Sequence, residues 1–327
     1  MPIIEKSGYK RKPFYLINEH FETIYASLFR KVNTEAYQAE RLELADGDFL
    51  DIGWIRKRSR KCIIISHGLE GNMHRPYVLG MAKVFSENGW DVLAWNYRSC
   101  GKDMNRLKRL YHHGNSDDLE VIIHHALSKG YESVAMTGLS MGGSTILKYL
   151  GEQGDAVPDE VIGGAVFSVP CNLYDSAVQL TYLKNKLYKD RFLKKLIDKI
   201  KRKALQYPDI DLSGIDDIKD FKDFDERYTA PLHGFRDAMD FYESATSDQF
   251  YEMIKKPVLL VNALNDPLLG EKCYPYGKAE KSDYLYLETP AKGGHVGFTI
   301  SGRDQTWSEL RAYDFISQLE KEVAAGE

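Results

Sequence analysis

Residues 133–150, SVAMTGLSMGGSTILKYL, constrain the fold more than any other part of this chain. The first half is a short apolar run typical of a buried strand, and the second half has apolar residues at helical spacing. Between them, the pattern predicts a sharp turn with Ser140 at its apex. Gly138 and Gly142 lack Cβ atoms, so the backbone can pack closely while the Ser140 hydroxyl stays accessible. A tight turn with a serine cap would look similar, but the flanking strand and helix favour a nucleophile elbow.

Strands and helices alternate along most of the chain. Asp46-Gly47 predicts a hairpin between two early strands. Compact apolar runs predict further strands, and amphipathic segments predict helices between them. This alternation predicts an α/β fold, a mostly parallel sheet with helices on both faces. The predicted strands are 62–66, 91–95, 161–169, 257–263 and 284–287, with another buried strand ending at 134–136, and the predicted helices include 76–88, 116–128 and 307–323.

The alternation stops for about eighty residues after the strand at 161–169. We therefore predict an α/β core in residues 1–170 and 251–327, with an N-terminal arm at 1–36, and a helical cap inserted at 171–250. Residues 184–203 hold ten Lys or Arg and two Asp, and residues 209–226 hold eight acids and two Lys. We expect the acids to neutralise the basic helix inside the protein, and we favour this over peripheral contact with a membrane.

Two backbone N–H groups are candidates to stabilise negative charge on a carbonyl oxygen. The Met141 N–H lies at the predicted start of a helix, where the helix dipole favours negative charge. The Leu69 N–H lies in His67-Gly68-Leu69-Glu70-Gly71, a loop that leaves the carboxyl end of a predicted strand. Acyl transfer needs two such donors facing one oxygen, so we predict an oxyanion hole from Leu69 and Met141. We expect His67 to shape this loop and to take no part in proton transfer.

Two polar residues follow later strands. Asp266 comes after the strand at 257–263, in Asn-Asp-Pro, where an ordinary turn is the alternative. His295 lies in Gly-Gly-His-Val-Gly after the last strand, and these glycines favour close approach of the loop to another backbone. Ser140, Asp266 and His295 thus occur in the chain order of nucleophile, acid and base, each after a predicted strand.

Composition excludes several other classes of protein. A net charge of −4 and a pI near 6.2 give no general attraction to nucleic acid. The four cysteines are scattered, which favours reduced thiols and a cytoplasmic location. No apolar run approaches the length of a membrane span, and the first twenty residues lack the apolar core of a signal peptide. The adjacent pairs His112-His113 and His124-His125 do not have metal-ligand spacing, so we predict neither a metal nor a cofactor.

Seven motifs make the sequence resemble the α/β-hydrolases, and more narrowly their YheT-like branch, bacterial relatives of mammalian abhydrolase-domain esterases and phospholipases. The resemblance extends from the N-terminal arm through the last helix and implies a catalytic triad of Ser140, Asp266 and His295. Lys102-Asp103 departs from the pattern where the family often has a second glycine. The motifs are HGLEG at 67–71, NYRSCG at 96–101, RLYHHG at 109–114, GLSMGG at 138–143, FDERYTAPLHGF at 224–235, ALNDPLL at 263–269 and GGHVGF at 293–298.

The resemblance implies hydrolysis of a carboxylic ester, a small molecule or a lipid, through an acyl-enzyme. Nothing in the predicted cap indicates the length of the acyl chain or the head group. A serine acyltransferase would use the same residues. A non-catalytic binding protein on a hydrolase fold is the alternative from another class, and it would be expected to lose positions of the triad.

Overall fold

One mixed sheet runs through the chain, which the computed structural model describes for residues 2–10 and 12–326. The nine strands have the spatial order β1-β9-β8-β7-β6-β4-β5-β3-β2. Neighbours pair in parallel except β3, which is antiparallel to both β2 and β5. The strands are β1 (Ile3–Ile4), β2 (Gln38–Glu43), β3 (Phe49–Ile55), β4 (Lys61–Ser66), β5 (Asp91–Trp95), β6 (Ser133–Leu139), β7 (Val161–Phe167), β8 (Val258–Val261) and β9 (Leu285–Glu288).

Helices cover both faces of this sheet, as the alternation of elements predicts. They are α1 (Glu19–Ile24), α2 (Pro76–Glu87), α3 (Ser116–Leu127), α4 (Met141–Gln153), α5 (Leu173–Thr181), α6 (Lys186–Gln206), α7 (Phe221–Phe224), α8 (Ala230–His233), α9 (Ala238–Ala245), α10 (Tyr276–Ala279) and α11 (Trp307–Ala325). Two apolar cores result: α3 and α4 pack on one face, and α2 and α11 pack on the other. Neighbouring β4 residues alternate between them, with Ile64 in the first core and Ile63 and Ile65 in the second. None of the described helices is long and apolar enough to cross a membrane.

Residues 171–250, called the helical insert below, stand between β7 and β8. They carry α5 to α9, and within them the structure describes helices and loops only. Much of their apolar surface is buried in two clusters separate from the cores around the sheet. The first includes Leu193 and Ile200 of α6, and it also contacts Leu110 and Leu268 outside the insert. The division of the chain into a core and a cap stays a prediction.

Most predicted elements are present, with small changes at their ends. The hairpin at Asp46-Gly47 is confirmed by the pairing of β2 with β3. Strand β7 ends at Phe167, two residues early, where Ser168 turns the chain with a positive φ of 54°. The N-terminal arm contains α1, which continues as a π-helical turn over Tyr25–Phe29. The pairing of β1 with β9 was not predicted.

The charges of α6 are neutralised differently from the expectation. Lys201 does pair with Asp216 of the acidic segment, at 2.7 Å. The buried lysines contact loops outside the insert instead: Lys199 pairs with Glu70 at 2.5 Å, and Lys203 donates to the carbonyl of Asn105 at 2.7 Å. The prediction that the acidic segment neutralises the helix is therefore wrong for the lysines that are buried. A long lysine side chain can reach a loop of another part of the chain, and counting charges along the sequence does not reveal which loop that is.

Candidate active site

Ser140 occupies the predicted sharp turn between β6 and α4. Its backbone has φ 56° and ψ −124°, a strained conformation for a residue with a side chain. The turn is held by a hydrogen bond from the Ser140 N–H to the carbonyl of Phe167, at 2.8 Å. A Cβ on Gly142 would lie 2.3 Å from the Ser66 carbonyl oxygen, and one on Gly138 would lie 2.5 Å from the Gly142 backbone. Both glycines are therefore required by the close approach of backbone segments.

Ser140, His295 and Asp266 form a continuous hydrogen-bonded chain. The Ser140 Oγ lies 3.0 Å from His295 Nε2, and His295 Nδ1 lies 2.8 Å from Asp266 Oδ2. The other oxygen of Asp266 accepts the N–H of Leu268 at 2.9 Å. Since an ionised carboxylate only accepts hydrogen bonds, Nδ1 carries the proton of a neutral imidazole and Nε2 is free to accept from Ser140. The three residues reach this point from loops after β6, β8 and β9.

The two predicted backbone donors lie beside Ser140. Met141 begins α4, and Leu69 follows Gly68, whose added Cβ would lie 3.2 Å from the Ser140 Cβ. Within the described part of the chain, neither the Leu69 nor the Met141 N–H donates a hydrogen bond to another group. Leu69 and Ser140 also line the same cavities. The arrangement can therefore offer two N–H groups to an oxygen bound next to Ser140.

His67 is fully buried behind this loop. Its Nδ1 donates to the Gly68 carbonyl at 2.7 Å, and its Nε2 accepts the Tyr97 N–H at 3.3 Å. Burial lowers the pKa of His67 to about 3, so the imidazole is neutral. Both ring nitrogens are occupied by backbone groups, in agreement with the predicted role of His67 in shaping the loop.

The N-terminal arm supports the His295 loop, which sequence reasoning missed. The Thr23 Oγ1 accepts the His295 N–H at 2.9 Å, and Glu22 Oε2 accepts the Gly293 N–H at 2.8 Å. Glu22 also accepts from Asn265, next to Asp266, at 3.0 Å, and pairs with Lys12 at 2.9 Å. The contacts of the arm with Asn265, Gly293 and His295 join residues more than two hundred positions apart, and no local pattern in the arm indicates them. The arm thus fixes two of the loops that form the site.

Glu70, directly after Leu69, is held by several side chains. Its carboxylate pairs with Lys199 of α6 at 2.5 Å and accepts the Tyr111 hydroxyl at 2.6 Å. Its carbonyl accepts from Lys195 at 3.0 Å and from Arg75 at 3.2 Å. The Glu70 and Lys199 side chains are only 8% and 6% exposed. The helical insert is thereby tied to the loop that carries the Leu69 N–H.

Two branches of a cavity meet at Ser140 and His295. The first, called the apolar branch, encloses about 970 Å³ including its mouth. Most of its lining is aliphatic or aromatic and comes from α5, α6 and the segment 221–242 of the insert; it includes Leu173, Leu180, Leu196, Phe221, Phe224 and Phe241. Such a surface suits an acyl chain or another apolar group.

A few polar groups also line the apolar branch. Asp225 accepts the Tyr242 hydroxyl at 2.8 Å and the Thr229 hydroxyl at 2.6 Å, yet burial raises its pKa to about 7. His112 and His233 lie with ring centres 4.6 Å apart, and burial lowers the pKa of each; for His233 it falls to about 4. In residues 2–10 and 12–326, no group of three His, Cys, Asp or Glu side chains is arranged to hold a metal ion.

The second cavity, called the basic branch, lies between α6, the N-terminal arm and the Glu70 loop. It encloses about 760 Å³ including its mouth. Thr23 and Leu28 of the arm and Tyr188 of α6 line it, together with the side chains of Arg75, Arg191 and Lys195. The site therefore joins an apolar cavity to a positively charged one at a single hydroxyl group.

Comparison with known proteins agrees with this fold. A family model described as alpha/beta hydrolase fold matches residues 61–299. The chain is 29% identical over 311 residues to YheT of Escherichia coli (strain K12), whose name provisionally assigns it to the esterases; the match covers 92% of this chain and 90% of YheT. It is 28% identical over 275 residues to Phospholipase ABHD3 of Mus musculus, covering 80% of this chain and 66% of that protein.

A solved structure shares the fold at low sequence identity. The Pyrococcus furiosus esterase Pf2001 aligns with a TM-score of 0.57 and 17% identity, covering 88% of this chain and 98% of that one. At this identity the likeness concerns the fold alone.

Proposed function

Because the chain belongs to the α/β-hydrolase family, we propose that it is a serine hydrolase that cleaves carboxylic esters. Ser140 is the nucleophile, His295 the general base and Asp266 the acid that orients His295. The observation that carries this proposal is the hydrogen-bonded chain from Ser140 Oγ to His295 at 3.0 Å and from His295 to Asp266 at 2.8 Å. It opens onto a cavity large enough for an organic ester.

The reaction proceeds in two half-reactions. His295 Nε2 takes the Ser140 proton while Oγ attacks the ester carbonyl carbon. The tetrahedral intermediate collapses as the bond to the alcohol oxygen breaks, and His295 gives its proton to that oxygen. Water then attacks the acyl-enzyme, again losing a proton to His295, and the carboxylic acid leaves as the Ser140 oxygen regains its proton. Asp266 stabilises the imidazolium that forms in each half-reaction.

The N–H groups of Leu69 and Met141 hold the negative oxygen of each tetrahedral intermediate. They are free of other acceptors within the described part of the chain, so no existing hydrogen bond has to break. The Met141 N–H also lies at the first turn of α4, where the helix dipole favours negative charge. We propose them as the oxyanion hole.

The substrate is a small-molecule or lipid ester whose acyl chain occupies the apolar branch. The aromatic and aliphatic lining of that branch supports this assignment, as does the phospholipase name of the mouse relative.

The cysteines Cys62, Cys100, Cys171 and Cys273 are all buried free thiols, which supports a cytoplasmic location.

The test compares Ser140→Ala with Ser144→Ala on a panel of esters of graded acyl length. We expect Ser140→Ala to lose about three to six orders of magnitude in kcat/KM while keeping its fold. Ser144 lies one turn along the same helix, and its hydroxyl makes only a long contact of 3.4 Å with the Pro170 carbonyl, so its variant should stay close to wild type. Activity of Ser140→Ala within tenfold of wild type would refute the serine mechanism. Addition of an alcohol acceptor would reveal acyl transfer as a new ester product.

A further inference from the structure

Three cations line the basic branch, and none of them has a carboxylate partner among the residues that the structure describes. Arg75 precedes α2, and Arg191 and Lys195 lie four residues apart on one side of α6. Within the described residues, no carboxylate oxygen lies within the 4.0 Å of an ion pair from any of their charged nitrogens. In contrast, Lys186, Lys199 and Lys201 on the same helix each have one. Among the described residues, these three cations thus line the same cavity as Ser140 without an ion-pair partner.

Glu70 also lines the basic branch, but its charge is already compensated by Lys199. Its carboxylate is held by Lys199 at 2.5 Å and by the Tyr111 hydroxyl at 2.6 Å. Lys195 and Arg75 reach only the Glu70 carbonyl, at 3.0 and 3.2 Å, which leaves most of their N–H donors unused. Burial lowers the pKa of Lys195, and the positive charges of Arg75 and Arg191 lower it further. This is expected for a lysine that lies close to other cations.

We infer that the basic branch binds an anionic oxygen group, phosphate or carboxylate, carried by the alcohol part of the ester substrate. Arg75, Arg191 and Lys195 hold this group through charge-assisted hydrogen bonds. The inference rests on the proposed function, because the bound anion belongs to the molecule that Ser140 attacks. It adds a substrate class to that function: an ester with an apolar acyl part and an anionic alcohol part.

The contrast between the two branches fixes the orientation of this substrate. Among the described residues, Lys199 is the one Lys or Arg that lines the apolar branch, and it is already paired. His112 and His233, which also line this branch, are held neutral by burial. An anion placed there would lie beside Asp225 and lose hydration without a free cation. A cleft with one sign of charge concentrates ligands of the opposite sign, so the anion enters the basic branch and the acyl chain the apolar one.

The experiment uses three soluble esters with the same hexanoyl group: hexanoylglycerol, hexanoylglycerol phosphate and hexanoyl glycerate. We expect kcat/KM for at least one anionic ester to exceed that for hexanoylglycerol by about tenfold or more, mainly through KM. Arg191→Gln and Lys195→Gln should each lower this ratio by about three- to tenfold, and added salt should lower it in wild type. Lys194→Gln is the matched control, since Lys194 is an exposed residue on the same helix outside the basic branch, and its ratio should equal that of wild type.

Three results would overturn the inference. A ratio near one for both anionic esters would do so, as would an equal loss in Lys194→Gln. If inorganic phosphate inhibits competitively but kcat/KM shows no preference for either anionic ester, the three cations bind a free anion and not part of the substrate. Binding to phosphatidylglycerol vesicles that Lys195→Gln abolishes, with a ratio near one, would assign them to a membrane surface. In each case, Ser140-dependent hydrolysis of hexanoylglycerol would leave the proposed function standing.

Discussion

Replacement of Lys199 by Met should destabilise the protein far more than other charge removals on α6. Methionine keeps most of the aliphatic stem but removes the ammonium group that pairs with Glu70 at 2.5 Å. The Glu70 carboxylate, 8% exposed, would keep only the Tyr111 hydroxyl as a side-chain donor. Two unit charges about 4 Å apart interact by about 4 kcal/mol at an effective dielectric constant of about 20. Loss of one partner from a buried pair costs about 3–5 kcal/mol, and we expect that loss in the free energy of unfolding.

The measurement is urea and thermal unfolding of wild type, Lys199→Met, Glu70→Gln and the double variant. For a chain of this length, the expected fall in Tm for Lys199→Met is about 4–7 °C. The double variant should recover part of the loss, giving a coupling energy of at least about 2 kcal/mol. The matched control is Lys201→Met, because its pair with Asp216 has side chains 41% and 80% exposed; its Tm should change by less than about 2 °C.

Activity gives a second readout of the same pair. Glu70 follows Leu69, whose N–H we propose as an oxyanion donor, so a loosened loop should lower kcat about tenfold at temperatures where the protein stays folded. The reasoning is refuted if Lys199→Met unfolds within about 0.5 kcal/mol of wild type, or if the two single effects simply add.

Three further predictions concern other parts of the site. Burial raises the pKa of Asp225 from 3.8 to about 7, so the folded state binds the Asp225 proton more tightly than the unfolded state does. The free energy of unfolding of wild type, relative to that of Asp225→Asn, should therefore fall by up to about 4 kcal/mol between pH 4 and pH 7 and stay level above pH 7. Denaturant unfolding of both proteins at each pH measures this. Parallel curves for the two proteins would contradict this. Asp266→Asn should keep the fold and lower kcat by up to about four orders of magnitude, because the histidine tautomer changes; a nearly silent variant would show that another carboxylate orients His295. Gly142→Ala should lose activity and lower Tm, since its Cβ would lie 2.3 Å from the Ser66 carbonyl, and a stable, active variant would show that the turn can shift.

Local sequence patterns predict the parts of the fold that short-range chemistry determines. The elbow at Ser140 depends on glycines two residues to either side, and the hairpin at Asp46-Gly47 depends on a turn of adjacent residues. The order of the residues that meet at the site also follows from sequence, because each stands after a parallel strand and these strands end at one edge.

Contacts between distant segments could not be predicted in the same way. β1 pairs with β9 across more than 280 residues, and Thr23 supports His295 across 272. The partner of Lys199 is a further example, because the count of acids in 209–226 pointed to the wrong carboxylates. Pairings of this kind depend on which surfaces the fold brings together, and a single sequence carries no local signal for them.

Reaction with a fluorophosphonate ester tests the central claim most directly, because this reagent phosphonylates a serine that a neighbouring base activates. Intact-mass and peptide analysis of wild type should show one phosphonyl group, attached to Ser140. Ser140→Ala should remain unlabelled, and His295→Ala should react at least about a hundredfold more slowly, since the base contributes about two to four orders of magnitude. Labelling at another residue, or an undiminished rate in His295→Ala, would contradict the assignment of Ser140 and His295 as nucleophile and base.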